Sequence, residues 1–465
     1  MNDFNDALKE ECGVFGVYNT KNNNAAENIY LGLHSLQHRG QEACGIYCIN
    51  DNNHFELHKS EGLVHNVFND NLLQKMGGKS GIGHVRYSTF GGSSYNNIQP
   101  FMFFYGQKNF GLCHNGNIVN SRELKTMLEQ NGSIFQATSD SEVMAHLINR
   151  SGFDDPMQAI KESLNLVVGA FVFLILIDDK IYATRDKNGL RPLSIGMKED
   201  GCYVVASESC ALDAVDAKFI RNLMPGEVIE ISQYGIKSEF YSTETRVSLC
   251  SMEYIYFSRP DSTLEDVNVH LSRREAGKIL AQKYHVKADV VIGVPDSSIS
   301  AALGYAQFSS IPYDAGLVKN KYMGRSFIEP TQFLRERAVS LKLTPVKEVI
   351  KDKRIVLIDD SIVRGTTLKR IVKILKAASA KEIHIRISSP PIKYPCFYGV
   401  DTGTFEELIM NRMEKDELCE YLGATTLEYL EIDDIKKATH LDDLCFACFN
   451  GNYVTPMCDT MKKER

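Results

Sequence analysis

The chain has 465 residues, of which 43% are hydrophobic and 24% are charged, and its formal net charge is -7. This length suffices for two or three domains, and the acidic balance argues against a nucleic-acid-binding surface as the main function. Residues 1–10 lack the apolar core of a signal peptide, and the longest apolar run, from Leu166, is about half of what a membrane span requires. Twelve cysteines without a secretory leader indicate a reducing, cytoplasmic setting and thiol or metal chemistry.

The first half of the chain combines short strand patterns with turns. Strands are predicted at GVFGVY, GIYCI, FVFLILIDDKIYATRD and CYVVASES, and the apolar run LVVGAFVFLILI predicts one or two buried strands. MPGEVIEISQYG predicts a last hairpin, followed by a connector over 238–248. Helices are expected near 25–36 and 141–149. The pattern indicates an α+β domain dominated by antiparallel strands.

The second half alternates strands with helices. DVVIGVPDSS and RIVLIDDSIVRGTT each run from a strand into a loop, and EIHIRISSPP begins another strand. ISAALGYAQF predicts the helix after the first of these loops. The helix after the second loop carries apolar residues at helical spacing, namely Leu368, Ile371, Val372 and Leu375. This alternation predicts an α/β domain with a parallel sheet.

The stretch VLIDDSIVRGTT carries the sharpest chemical signal. A buried strand ends in Asp359 and Asp360, which suit a ribose diol or a metal ion. The loop that follows contains Ser361, Gly365, Thr366 and Thr367, and it opens a helix whose N-terminus can bind an anion. The alternative is a capped helix with an acidic turn, which the two acids alone would suggest. The whole pattern resembles the phosphoribosyl-pyrophosphate (PRPP) motif of type I phosphoribosyltransferases, and GVPDSS resembles the pyrophosphate loop of that family.

This resemblance implies a PRPP site with Mg²⁺. The implied PRPP-binding residues are Asp296, Ser297, Ser298, Lys319, Arg325, Asp359, Asp360, Ser361, Arg364, Gly365, Thr366 and Thr367. Of these, Ser297, Asp359 and Asp360 would lie beside the Mg²⁺. The segment 319–345 is rich in lysine and arginine. It is either a solvated surface or, beside a pyrophosphate site, a lid that closes on negative charge.

Five motifs of the first half together resemble the glutamine amidotransferase domain of N-terminal-nucleophile hydrolases: CGVFG, LQHRGQE, GHVRYST, HNGNI and TSDSE. A thiol nucleophile needs a base. If residues 1–11 are a propeptide and are removed, the α-amino group of Cys12 can serve as that base. The alternative is an ordinary thiol at the edge of a strand.

The same resemblance implies the other roles in glutamine hydrolysis. Arg86 would clamp the carboxylate of glutamine, and Asp140 would pair with its ammonium group. Asn115 and Gly116 would supply a side-chain amide and a backbone N–H to an oxyanion hole. His84 and His114 are interpreted as structural residues, although either could be mistaken for a catalytic partner of the thiol.

Both halves in this order resemble the glutamine phosphoribosylpyrophosphate amidotransferase family. The resemblance implies that glutamine, PRPP and water give 5-phosphoribosylamine, glutamate and pyrophosphate at the first step of purine synthesis. It also implies a sheltered passage for ammonia, feedback inhibition by purine nucleotides and a homotetramer. Two alternatives are an amidotransferase with another sugar-phosphate acceptor and a non-catalytic PRPP or nucleotide sensor. The predicted division is a propeptide 1–11, a glutaminase domain 12–235, a connector 236–259 and a phosphoribosyltransferase domain 260–465.

A second group of thiols has metal-ligand spacing. Cys445 and Cys448 form a CxxC pair, and Cys250 and Cys396 are further candidates. Four thiolates suit Zn²⁺ or a [4Fe–4S] cluster, and spacing alone does not decide between them. The resemblance to one branch of the family implies a structural [4Fe–4S] cluster on these four residues. The remaining cysteines form no complete set and are expected as core or surface thiols, at positions 44, 48, 113, 202, 210, 419 and 458.

Overall fold

The computed structural model describes residues 12–50, 54–87, 94–106, 108–320 and 343–457. Strands paired antiparallel dominate the chain up to residue 240, and a parallel sheet forms the centre of the part beyond residue 289. The predicted propeptide 1–11 and most of the predicted lid lie outside the described residues.

The first sheet has seven described strands, all antiparallel, with the strand that follows Cys12 at its centre. In spatial order the strands are Lys218–Asn222, Ser194–Met197, Tyr203–Ala206, Gly13–Tyr18, Ser80–Arg86, Ala43–Ile49 and Phe55–Glu61. One face packs against helices through an apolar cluster that includes Phe15, Ile29 and Leu212. The helices on this side are Ala25–Ser35, Val64–Val67, Asp70–Met76 and Cys210–Asp213.

The second sheet has six described strands, again antiparallel: Gly235–Phe240, Glu227–Ser232, Lys180–Arg185, Gly169–Ile177, Lys108–Ile118 and Phe101–Tyr105. The two sheets face each other through an apolar layer that includes Val14, Ile82 and Leu174. The outer face is covered by Ser121–Gln130, Ser141–Arg150 and Pro156–Leu166. The result is a sandwich of two sheets between two layers of helices.

The sequence predictions for this region are largely confirmed. The helices expected near 25–36 and 141–149 are present at Ala25–Ser35 and Ser141–Arg150. The apolar run from Leu166 forms a single strand, Gly169–Ile177, which is buried along its whole length. The predicted connector is wrong for residues 238–240, because Gly235–Phe240 pairs along its whole length with Glu227–Ser232.

The parallel sheet contains the strands Val290–Gly293, Arg354–Asp359, Glu382–Ile387 and Thr426–Tyr429, in that spatial order. Alternating residues of its strands enter two apolar clusters, one on each face. The described α-helices of this part are Val269–Lys283, Ile299–Ser309, Lys347–Ile350, Thr366–Ala377, Lys415–Leu422, Ile432–Thr439 and Ala447–Asn450. This confirms the α/β prediction and places the loops after Gly293 and Asp359 at one edge of the sheet.

Short elements complete the described structure. Two strand pairs join Thr263–Leu264 to Val267–Asn268 and Leu317–Lys319 to Leu343–Pro345. Single helical turns are formed by Tyr95–Asn97, Glu253–Phe257, Phe405–Glu407 and Ile409–Asn411. In the described ranges, no helix has both the length and the apolar character that crossing a membrane would require.

Candidate active sites

Cys12 lies at the start of the central strand Gly13–Tyr18, at one end of the first sheet. Gly13 pairs antiparallel with Val85, so Cys12 and Arg86 follow at the same end. The Cys12 thiol is partly exposed and lies 3.6 Å from the carbonyl oxygen of Tyr87, to which it donates. The Arg86 side chain is buried. The structure therefore brings the predicted nucleophile and the predicted carboxylate clamp to one place.

Asn115 and Gly116 lie on the opposite sheet, in the strand Lys108–Ile118, which contacts the Cys12 strand. Asn115 is 1% exposed, and within the described part of the chain neither atom of its amide has a hydrogen-bond partner. A buried amide without partners is uncommon and calls for an explanation. A donor kept for a transient oxyanion is one such explanation.

Gly116 is required by its surroundings. Its φ is +137°, and a Cβ atom built there would lie 2.0 Å from the carbonyl oxygen of Ala170. Any larger residue would push apart the strand pair that joins Gly116 to Phe171. The HNGN motif is therefore part of a strand with a glycine-dependent backbone and is not the ordinary turn that its letters alone would suggest.

Asp140 comes immediately before the helix Ser141–Arg150 and is buried. Its Oδ2 accepts a hydrogen bond from the Ile118 amide at 2.8 Å, which ties it to the Asn115 strand. Burial alone would raise the pKa of Asp140, but His114 and the hydrogen bonds from Ile118 and Ser141 lower the pKa below its ordinary value. An ionised carboxylate here suits an ammonium group.

The two histidines of the motifs hold the framework. His84 is fully buried, and its Nε2 lies 3.0 Å from the carbonyl oxygen of His114, across the two sheets. Burial and the neighbouring Arg86 lower the pKa of His84 to about 3, so the ring is neutral at physiological pH. His114 Nδ1 lies 2.9 Å from the Ser141 hydroxyl. These contacts support the interpretation of both residues as structural.

The second site lies at the carboxyl edge of the parallel sheet. Asp359 and Asp360 end the strand Arg354–Asp359, and both are buried. Ser297 and Ser361 donate to Asp360 at 2.5 Å each, and Ser298 donates to Asp359 at 3.1 Å. The two loops that the sequence resemblance connected are thus in direct contact, with five of the predicted residues in one hydrogen-bonded group.

Asp360 is an acid in an unusual environment. Burial raises its pKa, while the hydroxyls of Ser297 and Ser361 and the charge of Arg273 lower it, and the pKa remains above its ordinary value. A bound cation would favour the ionised form of such a carboxyl group.

The phosphate loop joins the strand to the helix Thr366–Ala377. Gly365 precedes that helix with φ +78°, a conformation that glycine adopts without steric cost. The side chain of Arg364 pairs with Glu407 at 2.8 Å, and Lys319 pairs with the exposed Asp296 at 2.8 Å. Arg325 and residues 321–342 of the predicted lid lie outside the described residues.

The four candidate cluster cysteines converge from distant parts of the chain. Cys250 and Cys445 form an isolated bridge between their backbones, and the Tyr398 amide donates to the Cys396 sulfur at 3.3 Å. Burial raises the pKa of Cys445 to about 12 and holds that of Cys448 well above its ordinary value, with Cys396 adding to both shifts. Across the described residues, however, no group of three or more His, Cys, Asp or Glu side chains is placed to hold a metal ion.

The other cysteines behave as expected for isolated thiols where they are described. Cys44 and Cys48 are buried in the strand Ala43–Ile49, and burial raises the pKa of both, that of Cys44 to about 12. Cys113, Cys202 and Cys210 are also buried, with their pKa values raised by the same cause. Cys419 is partly exposed, and Cys458 lies outside the described residues.

A buried group of charges between the two sites escaped the sequence analysis. Arg39, from the LQHRGQE motif, donates to the carbonyl oxygen of Cys12 at 3.1 Å and forms ion pairs with Glu208 and Glu253. All three ion-pairing side chains are almost completely buried. Partners so far apart in the chain leave no local pattern. The sequence showed that Arg39 belongs to the LQHRGQE motif, but the motif does not indicate which acids this arginine pairs with.

Comparison with known proteins finds a separate family model for each of the two regions that carry these sites. A family model described as a glutamine amidotransferase domain matches residues 84–214, and one described as a phosphoribosyl transferase domain matches residues 267–388. The amidophosphoribosyltransferase of Bacillus subtilis (strain 168) is 52% identical over 456 residues, covering 96% of this chain and 95% of that protein. The enzyme of the same name from Staphylococcus aureus (strain Mu50) is 46% identical over 459 residues, covering 97% and 92%.

Two solved structures are also similar over nearly the whole chain. One, described as the allosteric regulatory enzyme of purine biosynthesis, matches with a TM-score of 0.92 at 51% identity and covers 96% of this chain and 97% of its own. The other is glutamine PRPP amidotransferase from B. subtilis in complex with ADP and GMP. It matches with a TM-score of 0.91 at 50% identity, covering 96% and 98%.

Proposed function

The chain belongs to the amidophosphoribosyltransferase family, and from that premise we propose how its residues divide the reaction between two sites. It contains a glutamine amidotransferase domain and a phosphoribosyltransferase domain. The overall reaction converts glutamine, PRPP and water into 5-phosphoribosylamine, glutamate and pyrophosphate, a step of purine biosynthesis. One site releases ammonia from glutamine, and the other uses ammonia to displace pyrophosphate from the anomeric carbon of PRPP.

In the first site, Cys12 is the nucleophile. Removal of residues 1–11 gives Cys12 a free α-amino group, which takes the thiol proton and passes it to the leaving ammonia. The thiolate attacks the side-chain amide carbon of glutamine, and water then hydrolyses the resulting thioester to glutamate. Arg86 holds the substrate carboxylate and Asp140 its ammonium group.

The oxyanion hole is the part of this proposal with the most direct structural support. The Asn115 amide is buried and has no partner in the described structure, and the Gly116 backbone lies where no side chain fits. A donor that is already fixed and desolvated stabilises the tetrahedral intermediate without reorganising. A typical donor of this kind contributes about 10²–10³ in kcat.

In the second site, Asp359 and Asp360 hold the ribose hydroxyls of PRPP, and the loop from Ser361 to Thr367 binds its 5′-phosphate. The residues fit Mg²⁺, because two buried carboxylates and the Ser297 hydroxyl offer the oxygen ligands that this ion prefers beside a substrate pyrophosphate. When bound, Mg²⁺ would neutralise the charge of the leaving pyrophosphate. Asp296 and Ser298 complete the pyrophosphate loop, and Lys319, which pairs with Asp296, is proposed to bind PRPP beside it.

The remaining PRPP-binding residues have less structural support. They are Arg364, Arg325 and the cation-rich segment 319–345. Arg364 is paired with Glu407, so its contact with PRPP would require that ion pair to open. Arg325 and the lid 319–345 are proposed from the sequence resemblance, and the lid would shelter the passage of ammonia between the sites. Such a passage matters because ammonia is protonated at neutral pH and lost to solvent.

Four cysteines are proposed to hold a [4Fe–4S] cluster with a structural role. Cys250, Cys396, Cys445 and Cys448 fit the group chemically, because thiolates are the ligands of such a cluster and metal binding would supply the ionisation. The backbones of Cys250 and Cys445 form a bridge, and Cys396 is near enough to Cys445 and Cys448 to contribute to their raised pKa values. The segment that carries Cys396 also contacts the first site, since the Asn117 amide donates to the carbonyl oxygen of Phe397 at 2.9 Å.

Regulation, assembly and location complete the proposal. Inhibition by purine nucleotides is supported by the similar B. subtilis structure, whose complex contains ADP and GMP. A homotetramer and a cytoplasmic location remain predictions from the sequence, as does the division at residues 235 and 259.

One substitution with two nitrogen sources tests the division of labour. Cys12→Ala should abolish phosphoribosylamine formation from glutamine, because the nucleophile is gone, and should keep the rate with added ammonia within about twofold of wild type. Cys419→Ala, which alters a partly exposed thiol in the second region, is the control and should keep both rates. Loss of the ammonia-dependent rate in well-folded Cys12→Ala would contradict the proposal.

A further inference from the structure

Glu253 lies in the helical turn Glu253–Phe257, in the segment that joins the two regions, and it is completely buried. Its carboxylate accepts hydrogen bonds from both terminal nitrogens of Arg39, at 2.9 and 2.8 Å, and one from the Ser258 hydroxyl at 2.5 Å. The Nη1 atom of Arg191 lies 3.7 Å from the same carboxylate. One acid from the connecting segment thus faces two arginines of the glutaminase region.

Arg39 bonds the backbone of the glutamine site directly, and Arg191 bonds the backbone of a loop that packs against this site. Arg39 Nε donates to the carbonyl oxygen of Cys12 at 3.1 Å. The guanidinium that is bonded to Glu253 is therefore also bonded to the nucleophilic residue. Arg191 donates through Nη2 to the carbonyl oxygen of Tyr398. A guanidinium is a rigid planar fork, and fixing one edge of it fixes the direction of the other.

The Tyr398 carbonyl matters because the next residue contacts the oxyanion strand. A Cβ atom built on Gly399 would lie 3.4 Å from the carbonyl carbon of Gly116 and 2.8 Å from Arg191 Nη2. The backbone of this loop therefore packs directly behind Gly116. Arg191 links that loop to Glu253 through an ion pair at 3.7 Å, a longer contact than the two hydrogen bonds by which Arg39 links Cys12 to Glu253.

We propose that Glu253 is a positioning residue of the glutamine site, acting through Arg39 on the Cys12 backbone and through Arg191 on the loop behind Gly116. It touches neither glutamine nor the reacting atoms. The inference rests on the proposed roles of Cys12 and Gly116. It adds that the geometry of the first site depends on an acid supplied by the connecting segment.

The phosphoribosyltransferase region in turn fixes the turn that carries Glu253. Arg273, on the helix Val269–Lys283, donates to the carbonyl oxygen of Tyr254 at 2.6 Å and to that of Ser258 at 2.9 Å. These bonds bracket the turn at both ends. Glu253 is therefore held from the side of the second site while it holds groups of the first.

The test compares two buried glutamates. Glu227 resembles Glu253 in burial and partners, with two bonds from Arg221 and one from the Ser238 hydroxyl, but these partners both lie in the first region, on the strands Lys218–Asn222 and Gly235–Phe240. Glu253→Gln and Glu227→Gln are measured with glutamine and with ammonia as nitrogen source. The reaction of the Cys12 thiol with 6-diazo-5-oxo-L-norleucine, a glutamine analogue that alkylates cysteine, is followed by intact mass.

Glu253→Gln should lower kcat with glutamine about 30-fold to 100-fold, since small displacements of a nucleophile have effects of this size. The alkylation rate should fall in parallel, while the ammonia-dependent rate stays within about threefold of wild type. Glu227→Gln should lower thermal stability and leave the ratio of the two activities unchanged. Equal glutamine-dependent rates in folded Glu253→Gln and Glu227→Gln would overturn the inference.

A second variant keeps the inference testable if Glu253→Gln does not fold. Arg39→Lys keeps the charge next to Glu253 and Glu208 but cannot also bond the Cys12 carbonyl in the same fork. It should show the same selective loss with glutamine and slower alkylation, and normal alkylation would overturn the inference. Loss of the ammonia-dependent rate in Cys12→Ala would instead refute the proposed function, so the two failures are distinguishable.

Discussion

The two sites are built in opposite ways. The glutamine site is assembled from buried groups of the first region, with Asn115 on a strand of the second sheet, Asp140 at the start of a helix that covers this sheet, and both almost without exposure. The PRPP site lies in loops at the open edge of a parallel sheet, where Ser297, Ser361 and Asp296 are partly or fully exposed. In the first site the Asn115 amide, which has no partner in the described part of the chain, is held in place by the paired strands around it. The second offers hydroxyls and acids that already satisfy one another until a ligand replaces these contacts.

The largest effect is expected in the second site, which should be needed with both nitrogen sources, whereas the first should be needed only with glutamine. Asp359→Asn combined with Asp360→Asn removes both ribose and Mg²⁺ ligands, so we expect the rates with glutamine and with ammonia to fall at least about 10³-fold. Steady-state assays of phosphoribosylamine formation measure this. Asp433→Asn, which alters an exposed acid on a distant helix, should keep both rates. A double variant that retains ammonia-dependent turnover would place the PRPP site elsewhere.

Asn115 tests whether the first site holds a donor that has no structural role. Asn115→Ala should lower kcat with glutamine about 10²–10³-fold. Because its amide atoms have no partner among the described residues, the variant should change the free energy of unfolding by less than about 1 kcal/mol.

Asn28 is the matched control for Asn115. It is also buried, but it donates to the Asn24 carbonyl and accepts from Lys198, and it lies on a helix outside the sheets. Asn28→Ala should therefore lower stability and leave turnover intact. The reverse pattern, with Asn115→Ala unstable and fully active, would remove the oxyanion role. Denaturant titration and assays on the same samples decide between these results.

Some parts of the two sites were predictable from the sequence, and others were not. Asp359, Asp360 and the phosphate loop were predictable, because the residues are contiguous and a strand followed by an anion-binding helix dictates their placement. Asn115 and Gly116 were predictable as a motif, but their strand geometry was not. The pairing of Arg39 with Glu253, 214 residues apart, has no local signature, since only the packing of the two regions brings these charges together. The same limit applies to the pairing of Arg364 with Glu407.

The buried charges between the sites predict a pH dependence of stability. Burial would raise the pKa of Glu208, but His38, Arg39 and Ser262 lower it far below its ordinary value. A lowered pKa means that Glu208 stabilises the fold above about pH 4.3, its unfolded value, and that this stabilisation is lost as the pH falls further. Glu208→Gln should be less stable than wild type at pH 7 by a few kcal/mol, about 3–5 for a broken buried pair.

Urea titrations at pH 7, 5 and 3.5 measure this difference. The gap in free energy of unfolding between wild type and Glu208→Gln should be similar at pH 7 and pH 5 and smaller at pH 3.5, because the unfolded wild-type chain then binds a proton at Glu208 while the folded protein keeps this acid ionised. A gap that is constant with pH would mean that Glu208 is not ionised in the folded protein.

The smallest effect is expected at the open edge of the second site. Gly365→Ala places a side chain at φ +78° with no close contact, so it should cost about 1 kcal/mol in stability. Because the same residue opens the phosphate loop, KM for PRPP should rise about fivefold to tenfold, corresponding to about 1–1.4 kcal/mol.

Gly201 provides the matched control for Gly365. It has φ +87° and lies in a turn of the first region, where a Cβ atom would have no described neighbour within 4 Å. Gly201→Ala should cost similar stability and leave KM for PRPP unchanged. If both variants bind PRPP normally, Gly365 has a conformational role only.

The most direct test of the account is the state of Cys12 in active protein. Protein purified without air and treated with 6-diazo-5-oxo-L-norleucine would be analysed by intact mass and N-terminal sequencing, with glutamine-dependent activity measured before and after treatment. The account predicts a chain that begins at Cys12, carries one adduct on that residue and has lost its glutamine-dependent activity. A fully active chain that still carries residues 1–11, or an adduct on another cysteine, would contradict it.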